Sequence, residues 1–189
     1  LMDPVQEFKE ERLVAARQMA ADEELKRKSL DWMLHADRYK YTYNYTWLGR
    51  PVIKFPADIL VMQEIIWREQ PDLIIETGIA HGGSIIFSAS MLELIGGDGL
   101  VLGIDIDIRK HNRAEIERHP MMKRIRMIEG PSVSEETLVL VRAEAAQRER
   151  HHQDAAGNRQ RILQVAERRD DRRAPQPVHD GLRAKACRC

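Results

Sequence analysis

The sequence predicts an α/β domain built on parallel strands, and three observations carry that prediction. Short apolar runs alternate with helical stretches between about residues 72 and 143, a pattern that makes parallel strands joined by right-handed crossovers. A glycine-rich loop, Gly78 to Gly83, directly follows the first apolar run. The second run ends on a carboxylate, Asp105.

The chain has 189 residues, enough for one ordinary domain. Its 43% hydrophobic and 32% charged residues suit a globular protein. A formal net charge of zero gives no general attraction to nucleic acid or membrane, so partners must be read from a site. No apolar run approaches the roughly 18 residues that span a bilayer. The N-terminus also lacks the basic and apolar stretches of a signal peptide, and the expected location is cytoplasmic. Leu1 ahead of Met2 reads as an unusual start or a fragment. Cys187 and Cys189, one residue apart, are a poor basis for a disulfide or a metal site.

The elements follow in order. Gln6 to Ala36 is rich in Ala, Glu, Lys, Arg and Leu without Pro or Gly, which predicts a helical extension serving as scaffold or as a homo-oligomer interface. Tyr39, Tyr41, Tyr43, Tyr45 and Trp47 recur with a period of two, which predicts an extended arm with one aromatic face, ended by Gly49-Arg50-Pro51. That arm is packing surface or the wall of a substrate pocket. Together these make a first segment, residues 1–56. Pro56 and Asp58 then open a helix with Ile59, Met62 and Ile66 at helical spacing, which stops near Gln70-Pro71.

Asp72 to Glu76 is the first buried strand, and Ser84 to Ile95 the helix after the glycine loop. Gly96 to Gly99 turns the chain into a second strand, Leu100 to Asp105, followed by a helix from Asn112 to Arg118 closed by Pro120. Arg124 to Glu129 is the third strand. Ser132 with Glu135 gives a capping-box signal for a helix through Val141. Residues 57–143 thus predict a partial Rossmann-like domain. Residues 144–189 form an Arg- and Ala-rich tail whose only clear apolar cluster is Ile162, Leu163 and Val165, and it predicts disorder with no further buried strand. Nucleic-acid binding is not expected of it, because Glu167, Asp170 and Asp171 interrupt the basic residues and no aromatics interleave.

The chemistry concentrates in the glycine loop. An adenosine cofactor needs close backbone approach, which Gly78, Ala80, His81, Gly82 and Ser84 supply at the start of a helix, and a carboxylate for its ribose, which Asp105 supplies. The spacing is acidic residue, x, G, x, x, x, G, G, S rather than the G-x-G-x-x-G of dinucleotide sites. S-adenosylmethionine (SAM) has no phosphate, and Glu76 suits its positively charged methionine end. Another nucleotide or a purely structural turn stays open. Glu129 and Ser132 either touch the adenine or cap the helix that follows. Asp107 and His111 near Asp105 are read as a solvated loop in preference to metal ligands. His81 is read as a loop-positioning or cofactor-edge residue. No catalytic base and no metal set is legible.

The stretch Tyr43 to Pro51, the block Met62 to Trp67, the run Ile74 to Ser84, and Gly103 to Arg109 with His111 to Arg113 together resemble the cephalosporin hydroxylase family. That family includes rhamnosyl O-methyltransferase-like proteins of glycolipid synthesis, and the resemblance covers roughly residues 30 to 140. It implies a SAM-dependent O-methyltransferase with a Rossmann-like fold, acting on a sugar or secondary-metabolite hydroxyl in antibiotic or glycolipid biosynthesis. The acceptor is a small molecule or glycolipid. By the resemblance, Glu76, Gly78, Ala80, Gly82 and Ser84 line the methionine side of SAM, and Asp105 takes the ribose. A magnesium ion is expected for the intact family. Members continue with a fourth strand ending in an Asp-Ser-Asp-His-like segment and a fifth with further carboxylates. This sequence has neither, so the magnesium ligands are expected to be absent and the chain is read as truncated or frame-shifted after about residue 141. The alternative role is a non-catalytic remnant that binds SAM or a full-length partner.

Overall fold

The structure, a computed structural model, describes the backbone of residues 3–156 and 162–166 and the side chains of residues 3–148. Two helices, α1 (Pro4–Ala21) and α2 (Glu23–Asp37), stand where one is expected. Asp22 divides them: its backbone is extended, and its carboxylate accepts the N–H of Leu25 at 2.9 Å, so it caps α2 instead of continuing α1. Neither helix buries a residue.

The aromatic segment is not the expected extended arm. Tyr41–Asn44 is one turn of 3-10 helix, closed by the Asn44 amide donating to the carbonyls of Lys40 and Tyr41. Only Thr46–Trp47 (β1) is extended, pairing antiparallel with Arg50–Pro51 (β2). Tyr41 is the centre of an aromatic cluster, while Tyr39 and Tyr43 stay exposed outside it. Tyr41 lies 5.1 Å from Trp32, 5.3 Å from Tyr45 and 5.7 Å from Phe55, centroid to centroid. The hairpin is seated on the body by Trp47, whose ring meets Phe87 edge-on at 4.9 Å and whose indole N–H donates to Ser90 Oγ at 2.9 Å.

Helix α3 (Pro56–Glu69) turns Ile59, Met62 and Ile66 toward the core and ends at Gln70, whose left-handed conformation precedes Pro71. The alternating elements then follow: β3 (Leu73–Thr77), α4 (Gly83–Ile95), β4 (Leu100–Asp105), α5 (Lys110–Glu117), β5 (Ile125–Glu129) and α6 (Glu135–Ala156). Strand β4 is buried at every position, which is why it reads as a continuous apolar run. Gly83 to Leu92 of α4 are buried as well, because the sheet covers one side and the hairpin and α3 the other. Ile74, Ile85, Phe87, Val101, Ile116 and Ile125 are the centre of this core.

A fourth parallel strand, β6 (Ile162–Ala166), corrects the expectation that the tail adds none. It pairs with β3 on the side away from β4, from Leu73 opposite Ile162 to Thr77 opposite Ala166, giving the order β5-β4-β3-β6. Without it β3 would carry an open edge, and the Ile162, Leu163 and Val165 cluster is the apolar segment available to close it. Helix α6 also runs past Val141 to Ala156, consistent with the Ala, Glu, Arg and Gln content of that stretch. Its Arg148 pairs with Asp98 at 2.8 Å. The helix is capped by Ser134, whose Oγ accepts the Thr137 N–H at 3.2 Å, rather than by Ser132. Residues 167–189, with Glu167, Asp170, Asp171 and both cysteines, lie outside the described residues. No helix among the described residues is long and apolar enough to cross a membrane.

Candidate functional site

Chain order steps from β3 to β4 to β5 in one direction and then returns to the other side of β3, so the sheet has its switch point at the carboxyl end of β3. Open α/β sheets bind their ligands at such a point. Beside it, over the carboxyl ends of β3, β4 and β5, lies a cleft of about 320 Å³ whose walls include Thr77, Gly78, Asp105, Gly130, Ser132 and Val133. Parallel register brings these residues together. Thr77 lies opposite Ile104, and Asp105 opposite Glu129, so the loops after all three strands open on the same edge.

The loop after β3 is tightly folded. Gly78, Ala80 and Gly82 all have positive φ, at 92°, 46° and 84°. For the two glycines this conformation is ordinary; for Ala80 it costs on the order of 1 kcal/mol, so the surroundings must hold it. Asp105 does so from one side. Its Oδ2 accepts the N–H groups of Ile79 at 2.8 Å and Ala80 at 3.2 Å, while Oδ1 accepts the N–H of Asp107 at 3.2 Å. From the other side, buried Asn112 donates to the Ala80 carbonyl at 2.9 Å. Arg50 donates to the His81 carbonyl through Nε at 3.0 Å and Nη2 at 2.8 Å.

The glycines divide between two tasks. Gly78 lines the cleft. Gly82 and Gly83 serve packing instead: a Cβ on Gly82 would lie 2.5 Å from the Ile116 side chain, and one on Gly83 would lie 2.1 Å from the Pro51 carbonyl oxygen. The hairpin backbone therefore rests directly on the first turn of α4.

Of the residues expected to hold a cofactor, Gly78, Asp105 and Ser132 line the cleft. Glu76 is buried and accepts a hydrogen bond from the Ser84 hydroxyl, so these two pair with each other at the base of the loop. Ala80 and His81 are held by their backbones, and the His81 ring nitrogen Nδ1 lies 3.4 Å from Asn112 Oδ1. Glu129 forms an ion pair with Arg113 at 2.8 Å. Asp107 and His111 are exposed.

Among the described residues no three His, Cys, Asp or Glu side chains gather to hold an ion. Sequence reasoning missed Arg50 and Asn112, which the fold brings to the loop. Both lie within segments that carry the family resemblance, Arg50 in Tyr43 to Pro51 and Asn112 in His111 to Arg113, but nothing in their spacing ties either to the glycine loop.

Residues 39–153, more than half of the chain, match the family model described as rhamnosyl O-methyltransferase/CmcI. A rhamnosyl O-methyltransferase of Mycobacterium leprae is 33% identical over 89 residues, covering 47% of this chain and 37% of that protein. Among solved structures, a CmcI described with Mg and SAM is 25% identical, covers 51% of this chain and 40% of its own, and superposes with a TM-score of 0.42. An O-methyltransferase from Bacillus cereus in complex with SAH is 18% identical, with 61% and 48% covered and a TM-score of 0.40. The chain spans less than half the length of these relatives.

Proposed function

The chain belongs to the rhamnosyl O-methyltransferase/CmcI family, the cephalosporin hydroxylase family of the sequence resemblance, and on that premise we propose that it binds SAM for methyl transfer to a hydroxyl group. The observation that carries the proposal is the meeting of the left-handed glycine loop and Asp105 at the switch point of a parallel sheet. Bound there, SAM supplies an electrophilic methyl group on its sulfonium centre.

The chain's own contribution is alignment, which is where in-line displacement draws much of its acceleration. Gly78 presents bare backbone to the ligand. Asp105 accepts the ribose hydroxyls; a carboxylate can take about four hydrogen bonds, so this role is compatible with bracing the loop. Ser132, with Glu129 beside it, borders the adenine. Glu76 and Ser84, at the base of the loop, set a negative charge beneath the methionine end. The acceptor we propose is a sugar or secondary-metabolite hydroxyl.

Incubation with SAM carrying a labelled methyl group and a panel of glycosides tests the proposal. Label transfer supports it, and a folded chain that binds NAD in preference to SAM contradicts it. A second reading is SAM binding without turnover, and saturable SAM binding with no label transfer is the outcome it predicts.

A further inference from the structure

The carbonyl side of the cofactor loop is gripped by residues far from it in sequence. Arg50, the first residue of β2 next to the hairpin turn, reaches across 31 positions to the His81 carbonyl and also donates to Asn112 Oδ1 at 3.1 Å. Its remaining charged neighbour is Glu115, 4.0 Å away and half-exposed. The Arg50 side chain is only 15% exposed, and its three hydrogen bonds fix the guanidinium in place. Asn112 completes the grip, accepting from Arg50 and donating to the Ala80 carbonyl at 2.9 Å. Between them the two side chains hold the carbonyls on both sides of the His81 amide, next to Ala80 in its strained left-handed conformation.

The hairpin has no other evident reason to place a cation there. Trp47 and Ser90 already anchor it to α4, and the Pro51 carbonyl lies against Gly83. A two-pronged guanidinium grip on one carbonyl instead fixes the orientation of the following peptide units, including those at the start of α4. Resting on the SAM reading above, we infer that Arg50 and Asn112 are positioning residues that hold the loop in its ligand-ready form, so that SAM affinity depends on the hairpin.

Hydrogen exchange and SAM titration on the full chain test this together, with Arg50→Ala, Arg50→Lys and Asn112→Ala compared with wild type. The amides of Ile79, Ala80 and Gly82 are the reporters, since each is hydrogen-bonded within the loop or to Asp105. In Arg50→Ala and Asn112→Ala they exchange about tenfold faster or more, SAM binds about tenfold more weakly, and β4 amides exchange as in wild type. Arg50→Lys, which keeps one charged donor, recovers part of both effects. A purely structural role would move β4 along with the loop. Unchanged loop exchange in folded Arg50→Ala overturns the inference, and so does faster exchange with unaltered SAM affinity. Should Arg50→Ala unfold, Arg50→Lys and Asn112→Ala decide by the same criteria. A wild-type chain that binds no SAM sinks the SAM reading and the affinity claim with it, while the exchange rates still decide whether these side chains hold the loop.

Discussion

The carboxylate of Asp105, at the end of β4, accepts the backbone N–H of Ile79 at 2.8 Å, tying the loop after one strand to the end of the next. Replacing it with alanine leaves three amides, those of Ile79, Ala80 and Asp107, without this acceptor. An unsatisfied buried donor costs about 1–3 kcal/mol, so Asp105→Ala loses on the order of 2–4 kcal/mol of stability in urea unfolding. Asp105→Asn keeps a carbonyl oxygen in place and loses about half as much. Equal losses in the two variants would show that the amides do not depend on this acceptor.

Gly83 and Gly82 differ in what a methyl group would strike. Gly83→Ala drives a Cβ into the Pro51 backbone, 2.1 Å away, and neither partner is a flexible side chain. Its cost is about 3 kcal/mol, at the upper end of ordinary overpacking. Gly82→Ala meets the movable Ile116 side chain but strains a φ of 84°, for about 1–2 kcal/mol. Thermal unfolding of both variants checks the ranking.

Leu48 is exposed and holds a φ of 46° at the first position of a two-residue hairpin turn. Asparagine tolerates that conformation better, and positive φ is required at both turn positions. Leu48→Asn raises stability by about 0.5–1 kcal/mol, read as a higher denaturant midpoint with an unchanged slope.

Glu93 on α4 accepts hydrogen bonds from Lys123 at 2.5 Å and from Arg124, and those bonds, Lys123 first, hold its carboxyl below the ordinary glutamate value. A carboxylate depressed in the folded state contributes stability above its unfolded pKa and loses it as pH falls through the folded value. Glu93→Gln is therefore less stable than wild type at neutral pH. The gap narrows as pH falls below the ordinary value of 4.5, and a gap independent of pH would contradict the pairing.

Much of the parallel sheet is legible in the sequence because β3, β4 and β5 are apolar runs separated by strong turn and cap residues. Strand β6 is not, because a five-residue apolar segment among charged residues looks like part of a tail until β3 offers it an edge. The aromatic segment misleads for a related reason. Its period of two matches a strand, but the contacts of Tyr41 with Trp32 and Phe55 come from other elements and leave no trace in spacing. At the site, Gly78 and Asp105 are legible because loop chemistry and strand-end position are local signals. Arg50 acts on a carbonyl 31 residues away, which only the folded chain reveals. The helix cap shifts from Ser132 to Ser134 because both fit a local capping pattern and only the backbone path chooses between them.

Calorimetric titration of the full chain with SAM, alongside Asp105→Ala and with circular dichroism to establish folding, decides whether the cleft beside Gly78 and Asp105 takes SAM. Wild type is expected to show saturable one-site binding that is lost in a variant that remains folded. A folded wild-type chain that gives no binding, or a folded Asp105→Ala variant that binds equally well, would contradict it.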